Sequence, residues 1–145
     1  MVYLVSNRFS HSNSILLPSK RLHDSEPKTL AVIDWEACQL GVPALDLGQM
    51  IAEMWKPTVC RDFDTGRWLI RGFVAAYGPL GDDLAFRTAI VIGTHLIAFS
   101  PFGNEHWGPP EKIEKAVKVG KDVIVNAWKK NRDWFDGGDL ECLFA

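Results

Sequence analysis

Two carboxylates, Asp34 and Glu36, close a short apolar run in "LAVIDWEACQLGVPALDLG", residues 30–48. A fold gains little by leaving unpaired charge beside its core, so a cation or a hydrogen-bonding partner is expected there. Carboxylate oxygens suit a hard divalent ion such as magnesium, which takes one or two protein ligands alongside phosphate oxygens. In an extended chain Glu36 points to the same side as Asp34. Asp46 stands where a helix begins, and there it suits a cap or the positive end of the helix dipole. Two readings of Asp34 stay open on chemistry alone: a metal ligand, or a surface carboxylate that ends a strand.

The elements that position these residues follow from the hydrophobic pattern. Leu30 to Ile33 reads as a short strand, and the polar stretch "SKRLHDSEPK" separates it from the apolar run "ILLP". This predicts a small β-hairpin. From Pro43 the period changes to helical, with Leu47, Met50, Ile51 and Met54 on one face and Pro57 at or beyond its end. A second helix is predicted from about Asp62 to Tyr77, burying Phe63, Ile70, Phe73, Val74 and Tyr77. A third, Asp82 to Phe99, buries Ala85, Ala89, Ile92, Leu96 and Phe99. After the loop "SPFGNEHWGPP", Pro110 opens a fourth helix, with Glu111–Lys115 and Glu114–Lys118 as four-residue charge pairs. The expected class is α+β, mostly α: a β-hairpin followed by a helical bundle.

Composition bounds the rest. The 145 residues suit a single domain, residues 1–145, with β remnants over 1–36 and a helical lobe over 43–145. Net charge is −2, which gives no global field toward nucleic acid or an anionic membrane, and neither partner is expected. The apolar runs are too short to span a bilayer, and "MVYLVSNRF" lacks the basic flank and cleavage site of a secretory signal. Cys38, Cys60 and Cys142 are odd in number and widely spaced, which predicts free thiols and a cytoplasmic setting. His11, His23 and His106 lack zinc-site spacing, and His95 on an apolar helix reads as a hydrogen-bonded boundary residue. The lysines at 112, 115, 118, 121, 129 and 130 read as a solvated face interrupted by acids.

The segment "VIDWEACQLGVPALDLG" resembles the metal-binding segment of the aminoglycoside phosphotransferase and choline-kinase-like family, whose fold is that of the protein kinases. In that pattern a strand ends in I-D-[WFP]-E and is followed by G-x-P-x-x-D-L. The resemblance implies magnesium on Asp34, with Glu36 nearby, and a bracing role for Asp46 toward the catalytic loop. It also implies ATP as donor and a small-molecule hydroxyl as acceptor. Upstream, "SNSILLP" resembles the end of the family's H-G-D-x-x-x-x-N-I-L loop. Aligned without a gap, Ser14 occupies the asparagine position and Phe9 the base position, while Asn13 serves as a metal ligand only if the loop shifts by one residue. Phenylalanine cannot accept a proton. Neither G-x-G-x-x-G nor G-x-x-x-x-G-K-[ST] occurs.

The chain therefore reads as a C-terminal lobe fragment, a metal half-site and substrate-side lobe without the parts that grip ATP. Agreement that fails abruptly before "SNSILLP" favours a truncated start over gradual decay. The expected activity of the 145 residues alone is negligible. The rival reading is a non-catalytic helical binding module, whose uncovered apolar surface favours self-association.

Overall fold

The computed structural model describes residues 4–6, 15–16, 31–32, 38–101 and 108–145, with side chains described from residue 40 onward. Four helices dominate: α1 (Pro43–Arg61), α2 (Thr65–Tyr77), α3 (Asp82–Phe99) and α4 (Pro110–Trp128). Two short 3-10 turns follow, Arg132–Trp134 and Glu141–Phe144. The strands are brief: β1 (Leu4–Ser6), β2 (Ile15–Leu16), β3 (Ala31–Val32) and β4 (Cys38–Leu40).

The expectation of an α+β chain led by a β-hairpin is corrected. The described structure is helical, and its β content amounts to two separate antiparallel ladders. In one, β1 pairs with β4, a non-sequential partner, in the register Leu4↔Leu40. In the other, β2 pairs with β3 over two residues only, Ile15↔Val32 and Leu16↔Ala31. Two-stranded ladders this short are marginal by themselves. Among the described side chains the hydrophobic core is carried by the helices and the C-terminal turns.

Local sequence explains the helix ends. Pro43 and Pro110 each occupy a first turn, where a missing N–H costs nothing. Asp46, Asp82 and Asp83 sit in first turns and complement the dipole. Pro57 does not stop α1, contrary to expectation: the helix continues to Arg61 and closes on Asp62 in a left-handed conformation. With the end of α1 one turn away, Pro57 forfeits a single bond to the Glu53 carbonyl. The N–H groups of Asp62 and Phe63 then bond the Thr58 and Pro57 carbonyls, a C-cap that satisfies the last turn.

α3 is the centre of the bundle, packed against α1 on one side and α4 on the other, while α2 lies against α1 and the last 3-10 turn. Ile51, Ala52, Ile70, Ala85, Ala89, Ile92, Leu96, Ala116 and Val123 are fully enclosed. Close helix approach depends on glycine. A Cβ on Gly93 would lie 2.5 Å from the Gly120 carbonyl oxygen, and one on Gly120 2.7 Å from that of Gly93. The α3–α4 crossing therefore needs both residues bare. Phe63, Tyr77 and Phe99, expected inside, are about half exposed, because each lies at or just beyond a helix end, where the buried stripe runs out.

Candidate functional site

Asp34 and Glu36 belong to residues 33–37, between β3 and β4, and lie outside the described residues, as do Phe9, Asn13 and Ser14. The flanking ladder is described. Ile15, directly after Ser14 in sequence, pairs with Val32, two residues before Asp34. The start of β2 and the end of β3 thus lie at the same end of this ladder. Asp46 lies in the first turn of α1, twelve positions after Asp34, with its side chain half-buried. Among the described residues no group of three His, Cys, Asp or Glu side chains is arranged to hold a metal ion.

The helices add a polar cluster that sequence reading only partly foresaw. Glu53 on α1 receives Lys56 Nζ at 2.6 Å on Oε1, and the same oxygen lies 2.5 Å from His95 Nε2 on α3. An ionised carboxylate offers only acceptors, so His95 Nε2–H donates. His95 is 6% exposed, Lys56 1%, and the His95 ring stacks on Phe99 with centroids 4.5 Å apart. Burial pushes the Glu53 carboxyl up. The hydrogen bonds from His95 and Lys56, with the Lys56 charge, outweigh that push and hold it below the ordinary glutamate range. His95 is the hydrogen-bonded histidine the sequence implied. Its partner, Glu53, carries no local signal that singles it out in the sequence.

Trp55 of α1 ties the bundle to the C-terminus. Its indole Nε1 donates to Asp139 at 2.9 Å, and Arg67 of α2 holds the other Asp139 oxygen at 2.5 Å. Beside them is an open cavity of about 280 Å³, lined by Trp55, Val59, Asp62, Lys115 and Asp139 among others. Asp62 is bonded by Lys112 and approached by Lys115 at 3.4 Å, which holds its carboxyl below the usual range. Lys115 therefore turns to Asp62, not to Glu111 as the spacing suggested. A second cavity of about 360 Å³ lies between Arg71, Arg132, Cys142 and Phe144. Cys60 and Cys142 are free thiols, and burial raises both.

Comparison with known proteins gives three relatives over most of the chain. The phosphotransferase FrzJ of Cladobotryum sp is 28% identical across 83% of this chain and 31% of its own length. The 4-hydroxytryptamine kinase of Psilocybe cyanescens is 27% identical across 84% of the chain, and that of Psilocybe cubensis 24% across 89%, each match covering 34% of the relative. The chain spans about a third of the length of these curated relatives. No family model and no solved structure matches it. Its similarity is to kinase-like phosphotransferases. Among the described residues, no helix is long and apolar enough to cross a membrane.

Proposed function

We propose that these 145 residues form the substrate-side lobe of an ATP- and magnesium-dependent phosphotransferase of the aminoglycoside phosphotransferase and choline-kinase type. The observation that carries the reading is similarity to three proteins named for phosphoryl transfer, running through 83% or more of the chain. The residue pattern from Ile33 to Leu47 agrees with it. In this reading residues 1–36 hold the remnants of the catalytic loop and metal strand, and residues 43–145 form one helical lobe with them.

Asp34, with Glu36 beside it, would hold magnesium: both are hard oxygen donors, and the donor set suits that ion. When bound, the ion neutralises charge on the transferring phosphate. The β2–β3 pairing supports bringing Ser14 and Asn13 toward the same end as Asp34. Asp46, at the start of α1, braces the loop through backbone N–H groups. The acceptor is a small molecule bearing a hydroxyl. Two relatives are named for 4-hydroxytryptamine, a hydroxylated amine, and that class is the one proposed here.

Chemistry by these residues alone fails at one atom. Removing the acceptor proton needs a base, and Phe9 at that position has none. The sequence also holds no glycine-rich phosphate loop. A chimera tests the lobe: residues 15–145 replace the corresponding segment of phosphotransferase FrzJ, whose own upstream part is kept. ATP-dependent transfer that Asp34→Ala abolishes is the expected result. A folded but inactive chimera overturns the proposal.

A second reading, a non-catalytic binding module that self-associates, is favoured by the exposure of Trp68, Phe63 and Trp128. Size-exclusion of the 145-residue chain separates the two. Concentration-dependent self-association, combined with an inactive chimera, selects the second.

A further inference from the structure

The outer ridge of α4 is not used by the proposed phosphotransferase site. Lys118, Lys121, Val125, Trp128 and Lys129 fall within one arc of about 100° on a helical wheel. They extend for about 16 Å along the axis at 1.5 Å per residue. All five are exposed, Trp128 at 79%, and Lys130 follows directly. The expected Glu114–Lys118 pair does not form. Lys118, Lys121, Lys129 and Lys130 make no ion pair among the described residues, whereas Lys112 and Lys115 are engaged by Asp62. Glu114 and Glu111 stand on the same arc one and two turns before Lys118, and the half-buried Asp122 borders it; from Lys118 to Lys130 the segment carries four positive charges against one negative.

We propose that this ridge docks the protein peripherally on an anionic phospholipid surface. A chain of net charge −2 has no general attraction to such a surface, so the interaction is local and oriented. The charges are all lysine, compact and strongly hydrated, without the planar fork that grips one phosphate or carboxylate in a fixed geometry. The cavities described above are lined by other residues. A diffuse bed of positive charge beside an exposed indole matches a headgroup layer. Lysines meet lipid phosphates there, and tryptophan settles at the apolar–polar boundary.

The test is co-sedimentation of the 145-residue chain with vesicles of phosphatidylcholine alone or mixed with phosphatidylserine. Binding is expected only to the mixed vesicles, weakening as salt rises. Lys118→Glu with Lys121→Glu should reduce it by at least about thirtyfold, the loss of two basic contacts. Trp128→Ala should weaken binding to the mixed vesicles while leaving its salt dependence in place. All three positions are exposed, so circular dichroism should show the fold unchanged. Equal binding to both vesicle types, no binding, or charge-reversed protein that binds as before overturns the proposal. So does retention on an acidic polypeptide or DNA without vesicle binding, which would assign the ridge to a macromolecular partner.

Discussion

Glu53 of α1 and His95 of α3, 42 positions apart in sequence, meet through one carboxylate oxygen that also carries the buried Lys56 ammonium. The pairing fixes how the two central helices sit side by side. It also makes Glu53 a charged partner of a nearly inaccessible lysine. Replacing Glu53 by Ala removes the charge that compensates Lys56, and breaking a buried pair from one side costs about 3–5 kcal/mol. The expected result is a loss near the lower end of that range, since Glu53 retains some solvent contact, read from urea unfolding. A loss below about 1 kcal/mol, the value of a surface pair, would show that Lys56 relies on other groups.

The same cluster sets an acid limit on stability. The Glu53 carboxyl is held below its ordinary value, so in acid the unfolded chain takes up its proton before the folded chain does. The contribution is complete above the ordinary glutamate value of about 4.3 and drains away as pH falls from there through the lower folded value. Unfolding free energy should therefore decline below about pH 5, with a shallower decline in Glu53→Gln. An identical slope in the variant would remove Glu53 from the account.

Gly93 and Gly120 offer a purely steric test. A methyl group at either meets backbone of the opposite helix at 2.5–2.7 Å, and backbone cannot swing aside as a side chain can. Alanine is the better helix former by about 1 kcal/mol, yet Gly93→Ala should destabilise, because forced separation of packed helices costs about 1–3 kcal/mol. Gly72, with open space where its Cβ would stand, is the control. Gly72→Ala on α2 should be neutral or stabilising by up to about 1 kcal/mol.

These contrasts also say what a sequence can convey. The α3 boundaries, Asp82 to Phe99, were readable because an acidic pair after a glycine and an unbroken apolar period agree on them. The end of α1 was not. A proline usually ends a helix, but Pro57 stands one turn before the end of α1, where it forfeits a single bond and the Asp62 cap closes the remaining turn. The hairpin reading failed for a different reason: short apolar runs look alike whether they contribute two ladder residues or six. At the candidate site, Asp34 and Asp46 were singled out by a family resemblance, and of the two only Asp46 lies among the described residues. The Glu53–His95 and Trp55–Asp139 bonds span 42 and 84 positions, and no local pattern encodes such a meeting.

Trp55 and Asp139 are the second long-range tie. Trp55→Phe keeps the buried ring but withdraws the indole donor, leaving Asp139 with Arg67. Hydrogen bonds to a charged acceptor are worth about 1.5–3 kcal/mol, and the retained Arg67 contact places the expected loss near the lower figure. The C-terminal segment should also open sooner, seen as faster amide exchange at Leu140 and Leu143, which are otherwise buried. Unchanged exchange there would show that apolar packing alone holds the segment.

In the proposed function Phe9 stands at the base position, and the phosphate clamp belongs to an upstream part. A positioned base multiplies an existing rate by about 10²–10⁴, but a multiplier has nothing to act on where ATP is not held. Phe9→Asp in the 145-residue chain should therefore yield no ATP-dependent transfer to hydroxylated amines, measured by release of ADP with acceptor present. The FrzJ chimera, which keeps its own base and nucleotide-binding part, should transfer phosphate and lose about a hundredfold or more with Asp34→Ala, in line with the several kcal/mol a metal contributes. Turnover by the Phe9→Asp chain that Asp34→Ala abolishes would mean that these residues grip ATP by themselves. The proposed division of labour between the lobe and an upstream nucleotide-binding part would then be wrong.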